Sequence, residues 1–297
     1  MTTFNEMIDD TLLHLQGYTK QQDQVTHLTA DTTSTATTMI VNDVTSISRG
    51  TAEVGNELIW IDSVDQQTGT VTIPPYGRGY RSSTAASHTS GSMVTSSPMF
   101  PRKMVSQALN DAIMAVYPEL FAVGTTEITF NPAVTTYELP VGALDILQVS
   151  WQTTGPSKEW LPVRRFRVDR HAATGAYSSG VSLSVYDSIV PGRPMKITFT
   201  KEPSPLVNDS DVFNTVTGLP NSCEDLVRFG AAYRLVPFFD SAQASGDSAQ
   251  ADFSAGQRPV GSSSALSRFL LQMYQVRLAE EVKGMQSAFP VRSHYTR

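Results

Sequence analysis

The densest group of chemically capable side chains is basic, since four arginines fall within the segment VRRFRVDRH at 163–171. Guanidinium groups at this density could contact nucleic-acid phosphates. They could also pair with carboxylates across a protein interface, where the planar fork of arginine is favoured. A phosphate-binding face needs an excess of cations, and the whole chain has a net charge of −6. We therefore favour a subunit interface over DNA contact for this cluster, which consists of Arg164, Arg165, Arg167 and Arg170.

The remaining reactive residues do not form a catalytic or metal-binding pattern. The single cysteine, Cys223, excludes an intrachain disulfide and a cysteine-based metal site, and we expect it to be a small apolar side chain in a helix. No HExxH or GxSxG motif is present, and the acids between Asp31 and Asp65 do not follow the spacing of a calcium loop. We expect no enzymatic activity, no metal and no cofactor. The five histidines are scattered at His14, His27, His88, His171 and His294.

A glycine-rich segment, Gly77-Arg78-Gly79, could suggest a phosphate-binding loop. It lacks both GxGxxG and Walker spacing, and it does not open a helix. We interpret it as a sharp turn that requires glycine for a positive φ angle.

The elements that surround these residues alternate between helical and β periodicity. Apolar residues at helical spacing predict helices over 3–16 and over 101–117, then a helix from Ser222 to about 239 and a last one over 264–285. Apolar positions at period two predict short strands between 28 and 97 and again between 125 and 201. The strand at 57–64 is apolar on both faces near its middle, and the segments around Ile128 and Tyr137 flank the Asn131-Pro132 turn like a hairpin. In the last helix, the buried candidates are Leu266, Phe269, Leu270, Met273, Val276 and Leu278.

The predicted fold class is α+β. We expect a four-helix frame interrupted by a small N-terminal β module and by a central antiparallel β insertion, with an extended C-terminal arm. The expected segments are a frame helix in 1–27, the β module at 28–97, a frame helix in 98–124, the β insertion at 125–215, a helix pair in 216–285 with a flexible linker at 240–262, and the arm at 286–297.

The bulk properties favour a protein that acts through contact. Charged residues make up a low share of the chain, 17%, and serine and threonine are the polar residues that replace them. Such surfaces suit proteins that are covered by neighbouring subunits. The N-terminus, MTTFNEMIDD, is polar and acidic, and no apolar run has the length of a membrane helix. We expect a soluble protein made in a cytoplasm and not bound to a membrane.

The C-terminal arm is the segment where a docking role is favoured over simple fraying. It combines aromatic and basic residues without an acid, as expected of an amphipathic peptide that docks in a groove on a partner. The candidate docking residues are Phe289, Pro290, Val291, Arg292, His294, Tyr295 and Arg297.

Three motifs of the N-terminal module resemble a module that recurs in structural proteins of tailed bacteriophages. They are LTADTTSTATTMIV at 28–41, GNELIWIDSVD at 55–65 and GRGYRSSTAASHTSGSMVT at 77–95. The flanking segments IDDTLLHL at 8–15 and FPRKMVSQALNDAIMAVYPELF at 100–121 look like helices of head-to-tail connector proteins, in particular the neck adaptor of long-tailed phages of actinobacteria. The resemblance is best over the first 150 residues or so and is only architectural beyond them.

This resemblance implies a structural adaptor of the virion, located at the head–tail junction. The adaptor would form a homo-oligomeric ring of twelve copies under the portal protein, with the stopper or tail-completion protein below it. Double-stranded DNA would pass through the channel without sequence-specific binding during genome ejection. In related adaptors the C-terminal segment reaches the portal, which corresponds to 286–297 here.

Other functions remain open at this stage. The chain could be the stopper or another virion protein. The β module could instead bind host glycans on a tail structure, with Trp60, Tyr76 and Tyr80 stacking on sugar rings. A cell-wall or capsule hydrolase is the third possibility, and only scattered carboxylates support it.

Overall fold

The computed structural model describes residues 2–17, 23–154, 158–237 and 262–289. These residues form a mixed α+β fold, as predicted, with four antiparallel sheets. The predicted four-helix frame is wrong, because the described residues contain five α-helices. These are Phe4–Gln16 (α1), Arg102–Ala115 (α2), Phe213–Thr217 (α3), Glu224–Leu235 (α4) and Ser262–Ala288 (α5).

The additional helix, α3, escaped prediction because it is only five residues long. Helical periodicity becomes recognisable over two or more turns, and α3 ends at Gly218, whose φ of 73° stops it.

The chain divides into two compact units. Of the described residues, one unit takes those in 1–4, 110–230 and 268–297, and the other takes those in 5–109 and 231–267. Helices α1, α2, α4 and α5 each contribute residues to both units, α1 only through Phe4.

Two small sheets form the N-terminal module. One has the order β1-β7-β3-β4 and the other the order β2-β6-β5. Both faces of β4 are buried, as its apolar run predicted: Ile59 and Ile61 on one face are fully inaccessible to solvent, and Leu58 on the other face is 5% exposed. The strands are Gln24–His27 (β1), Thr38–Ile40 (β2), Gly50–Val54 (β3), Glu57–Ile61 (β4), Ser63–Asp65 (β5), Thr70–Thr72 (β6) and Met93–Ser96 (β7).

The central insertion contains the other two sheets, in the orders β11-β10-β14-β8 and β12-β13-β9. Met195, Ile197 and Leu183 are fully buried in a shared apolar core, which confirms the predicted alternation along β13 and β14. The strands are Ala122–Thr129 (β8), Thr136–Glu138 (β9), Asp145–Gln152 (β10), Trp160–Pro162 (β11), Phe166–Asp169 (β12), Ser182–Val185 (β13) and Pro194–Lys201 (β14).

One predicted hairpin is wrong. The sequence suggested that the segments around Ile128 and Tyr137 pair across the turn at Asn131-Pro132. Instead, β8 pairs with β14 and β9 pairs with β13, so the two segments lie in different sheets. The Tyr137 hydroxyl nevertheless fixes the turn, since it accepts a hydrogen bond from the Asn131 N–H and donates one to the Asn131 carbonyl, both at 2.9 Å.

The apolar face of α2 is buried as predicted. Leu109, Ala112 and Ile113 are fully buried on this face. The N-terminus of α2 is held by Arg102, whose N–H donates to the buried Glu53 carboxylate at 2.8 Å. The Arg102 guanidinium also reaches Asn56 on the β3–β4 turn at 2.7 Å and pairs with Asp9 on α1. One side chain thus joins α1, α2 and the first sheet.

The burial predicted for α5 is wrong at two positions. Phe269 and Val276 are 54% and 49% exposed, and the buried positions are Leu270 and Tyr274. The Glu281 carboxylate on α5 accepts hydrogen bonds from the Ser222 hydroxyl at 2.8 Å and from Arg277, one turn earlier in the same helix, at 3.1 Å. The Ser222 bond, with a bond from Arg277 to the Ser222 carbonyl at 3.1 Å, holds α5 against the turn that precedes α4.

Candidate functional site

A pocket of about 250 Å³ opens on the central insertion beside the arginine cluster. A β-bulge in β10 shapes it, because the register of β10 against β14 shifts between Ile146 and Gln148. The extra residue, Leu147, faces the pocket. Bulges redirect side chains and are common beside functional surfaces. The principal lining residues are Leu147, Gln148, Val149, Pro162, Val163 and Phe166, with Arg164 at the pocket as well.

The structure brings the four predicted arginines together around the loop after β11 and the edge strand β12. All four are exposed. Two of them are already paired within the chain: Arg165 with Asp187 at 3.1 Å and Arg170 with Asp145 at 2.8 Å. Within the described residues, neither the Arg164 nor the Arg167 side chain has an ionic or hydrogen-bonding partner.

Asp187 fixes the shape of the loop next to the pocket. Its Oδ2 accepts the N–H groups of Arg164 at 2.6 Å and Arg165 at 3.2 Å. Burial alone would raise the pKa of Asp187, but these N–H groups and the Arg165 guanidinium outweigh it and leave the pKa below its usual value. The carboxylate therefore stays ionised and holds the pocket rim in place at neutral pH.

The arrangement suits protein contact better than DNA contact. Carboxylates of the same chain already compensate half of the cluster, whereas a phosphate-binding face depends on unpaired cations. The pocket beside Arg164 is mainly apolar, and an apolar centre next to charged residues is typical of protein interfaces.

The Gly77-Arg78-Gly79 turn belongs to a buried polar centre, which the sequence did not reveal. The side chain of Glu57 is fully buried and forms a bidentate pair with Arg78, with both distances 2.8 Å. The same carboxylate accepts the Gly79 N–H at 2.9 Å and the Ala86 N–H at 3.1 Å, and it lies 2.8 Å from His88 Nε2. Burial would raise the pKa of Glu57, but these partners outweigh it and lower the pKa to about 2.

Glycine is required at the two positions of this turn for different physical reasons. Gly79 has a φ of 59°, as the turn interpretation expected. Gly77 does not have a positive φ, but a Cβ there would lie 2.7 Å from the Trp60 carbonyl oxygen and from the Ile73 side chain. Arg78 also donates to the Ala86 carbonyl at 2.5 Å and to the Thr33 carbonyl. This centre joins loop segments and offers no open site for a phosphate.

Most of the predicted docking arm lies outside the described residues, namely Pro290, Val291, Arg292, His294, Tyr295 and Arg297. Phe289 is described, is 36% exposed, and has its ring centroid 6.5 Å from that of Phe121.

The other candidate chemistries gain no structural support. Cys223 is buried beside Glu281. Burial raises the pKa of the thiol to about 12, with a smaller contribution from the Glu281 carboxylate, so the thiol stays protonated. Within the described ranges, no group of three or more His, Cys, Asp or Glu side chains could hold a metal ion. In the same residues, no helix is long and apolar enough to cross a bilayer.

Comparison with known families identifies the class of protein. Residues 91–269, well over half of the chain, match the family model described as SU10 adaptor protein. The chain therefore belongs to this family of phage adaptor proteins, and it is a component of a virion. The match covers the central insertion with its pocket and arginine cluster, and it leaves residues 1–90 and 270–297 outside. No curated protein matches the chain.

Proposed function

We propose that this protein is the head-to-tail adaptor in the neck of a long-tailed phage of actinobacteria. Twelve copies form a ring under the portal, join head to tail, and let DNA pass during ejection. The observation that carries the proposal is membership of the adaptor family over residues 91–269. The motifs of the N-terminal module support the narrower assignment to the neck. The function is structural and requires neither catalysis nor a cofactor.

Uncovered apolar surface on α5 supports assembly into a ring. Leu266, Phe269, Met273 and Val276 follow one another at spacings of three and four, which places them along one stripe of the helix. Phe269 and Val276 remain about half exposed in the single chain. Covering the exposed half of each would contribute about 1.5–3 kcal/mol per copy, at roughly 1.5–3 kcal/mol for each fully buried large side chain.

The charge distribution supports passage of DNA without binding. Residues 1–97 contain ten acidic and four basic side chains, which accounts for the full net charge of −6. An acidic wall repels the phosphate backbone and disfavours close contact with it. A ring that presents this charge to its channel guides DNA without reading its sequence.

The C-terminal arm is proposed to dock on the portal. Deleting 286–297 removes Phe289 and the basic residues beyond it while leaving the described strands and α1–α4 intact. We expect a folded protein, with an unchanged far-UV circular dichroism spectrum, that does not join portal-containing heads. The control replaces the same twelve positions with a glycine–serine segment of equal length and should also fail to join. Normal production of tailed virions by the deletion variant would exclude the arm as the docking element.

Ring formation is tested by imaging. Negative-stain images of the protein in virions or in isolated necks should show a ring at the portal vertex, with twelve-fold symmetry in class averages. A location below another ring of the neck would instead identify the stopper. A strictly monomeric protein located away from this vertex would refute the proposal.

A second candidate function rests on an aromatic patch of the N-terminal module. The Trp60 and Tyr80 rings lie 5.3 Å apart, Arg81 lies over the Tyr80 ring at 5.6 Å, and Tyr76 is 67% exposed. Exposed aromatic faces of this kind can stack on sugar rings. Binding of the full chain to a glycan array, lost on Tyr76→Ala, would favour a glycan-binding module. A zymogram on host cell walls, with no clearing expected, tests the absence of hydrolase activity.

A further inference from the structure

We propose that neighbouring copies meet through an apolar contact flanked by charges: Ile40 of one copy enters the Leu147 pocket of the next, while Asp43 and Asp65 face Arg164 and Arg167. The proposal rests on the ring proposed above and names the two surfaces that form it. The partner is a second copy of this chain.

The receiving surface is defined by its shape and its unpaired charge. The pocket of about 250 Å³ is large enough to accept a branched aliphatic side chain, and the bulge at Leu147 provides part of its apolar wall. Arg164 belongs to the pocket, and Arg167 is an exposed residue of the edge strand β12, three residues further along the chain. Since Asp187 and Asp145 compensate the other two arginines, the surface offers two cations to a partner.

The inserting surface is one end of the three-stranded sheet β2-β6-β5. Ile40 is the last residue of β2 and is 43% exposed, although it lies in a strand. Its neighbour across β6 is Thr70, which in turn pairs with Asp65 at the end of β5. Asp43 follows β2 at the same end, where the Val41 N–H donates to the Gly69 carbonyl at 3.0 Å. An exposed aliphatic side chain thus shares one end of this sheet with two carboxylates.

Both carboxylates are oriented before any partner arrives. Asp43 Oδ1 accepts the Thr45 hydroxyl at 2.7 Å and the Thr45 N–H at 2.9 Å, and these bonds lower its pKa. In Asp65, Oδ1 accepts the Gln67 N–H at 2.9 Å and Oδ2 accepts the Thr68 hydroxyl at 2.8 Å, which lowers its pKa as well. Neither carboxylate has a cationic partner within the described residues. The count therefore matches on both sides, with two free carboxylates and two free guanidinium groups.

The chemistry of the two surfaces favours a closed ring. They are different parts of the chain with opposite charge, so a contact between them is heterologous. Heterologous contacts repeat from copy to copy and close into a ring when the rotation allows, whereas a self-complementary contact stops at a dimer.

A disulfide between the two surfaces tests the contact directly. Ile40→Cys and Gln148→Cys are combined in full-length protein that also carries Cys223→Ser, so that no other thiol is present. A disulfide forms only if the two Cα atoms come within about 7 Å of each other. After oxidation of virions or isolated necks, we expect a ladder of covalent oligomers on a non-reducing gel, and none from either single-cysteine variant.

The outcomes separate this proposal from the ring itself. Rings in the images without a ladder would overturn the proposed contact and leave the adaptor function standing. A ladder that ends at the dimer would replace the heterologous contact with a symmetric one and would also overturn it. A faster-moving monomer without higher bands would show a link within one chain and would likewise overturn the contact between copies. Absence of rings from the unsubstituted protein would refute the proposed function instead.

A second measurement tests the charges without disturbing the turns. Asp43→Asn with Asp65→Asn removes both charges and keeps one carbonyl oxygen at each position. That oxygen can accept both Thr45 bonds at position 43 and the Gln67 N–H at position 65, where the new amide nitrogen can donate to the Thr68 hydroxyl. We expect the fraction of chains in rings to fall about fivefold at low salt, as for two partly exposed ion pairs, and to become insensitive to salt. The matched control, Asp31→Asn with Asp62→Asn, removes the same charge from the same module and should leave assembly unchanged. An equal loss of rings in the control would show that only the net charge matters. It would overturn the proposed pairing of these carboxylates with the two arginines.

Discussion

Glu57→Gln should destabilise the N-terminal module by about 3 kcal/mol at pH 7. The carboxylate pKa is lowered from 4.5 to about 2, and each pKa unit corresponds to about 1.4 kcal/mol of preference for the ionised form. Gln fills the same space, but it leaves the Arg78 guanidinium, whose side chain is 8% exposed, without its carboxylate partner. Removing one partner of a buried ion pair costs about 3–5 kcal/mol in other proteins, which agrees with this value.

The pH dependence distinguishes this mechanism from simple loss of packing. Because the folded-state pKa of Glu57 is depressed, its stabilisation is complete above about pH 4.5 and is lost as the pH falls towards 2. The difference between the wild type and Glu57→Gln should therefore shrink over that interval.

The assay is urea unfolding of the full chain, followed by the fluorescence of Trp60. A background of Trp151→Phe and Trp160→Phe removes the other two tryptophans. Asp62→Asn is the matched control, because it breaks the exposed Arg49–Asp62 pair and should cost less than about 1 kcal/mol. A loss below about 1 kcal/mol for Glu57→Gln at pH 7, or a loss that is equal at pH 3 and pH 7, would refute the reasoning.

Three further predictions concern the helix junction, the turn and the assembly. Burial raises the pKa of Glu53 from 4.5 to about 7 and outweighs the hydrogen bond from Arg102, so the stability of the module should fall as the pH rises from about 4.5 to 7. The melting temperature of Glu53→Gln should not show that fall. A pH profile identical to that of the wild type would contradict the prediction. Gly77→Ala should lower the melting temperature, because its Cβ would lie 2.7 Å from a backbone oxygen, whereas Gly175→Ala, with open space around it, should not. Phe269→Ser with Val276→Ser should reduce ring formation in negative-stain images without lowering the melting temperature of the single chain, and intact rings would contradict the role of α5.

Local patterns were enough to predict the long helices and the strands of alternating polarity. In α2, the recurrence of apolar residues at helical spacing identified Leu109 and Ile113 as buried, and both are. In β13 and β14, alternation identified the buried residues Leu183 and Ile197. These predictions succeed because the spacing of side chains within one element decides which of them share a face.

Strand pairing could not be predicted in the same way. The segments around Ile128 and Tyr137 looked like a hairpin, but they do not pair with each other. Ile128 pairs with Met195, more than fifty residues away, and Tyr137 pairs with Leu183, more than forty residues away. Nothing in the local pattern encodes such distant partners. The Glu57–Arg78–His88 centre was missed for the same reason, although the glycines around Arg78 did signal a constrained backbone.

On α5, the sequence predicted more burial than the single chain provides. The pattern treats Phe269 and Leu270 alike, because both belong to a wide apolar arc, yet only Leu270 is covered. A sequence records burial by any neighbour, including other copies, and periodicity does not say which neighbour supplies it. Among the candidate site residues, the arginines were identified by type, whereas the pocket that Arg164 lines depends on a bulge that no residue pattern indicated.

The position of β7 has a consequence for synthesis on the ribosome. This strand, Met93–Ser96, is the last of its sheet to be translated, yet it lies between β1 and β3. Until residue 96 has left the exit tunnel, the nascent segment Gln24–His27 has no strand of that sheet to bind. The β3–β4 hairpin can form earlier, because its two strands are adjacent in the sequence. Strand β1, in contrast, can pair only after about seventy more residues have been synthesised, since its partner is β7. A translation pause before that point would leave an open sheet edge, where nascent chains on adjacent ribosomes could pair.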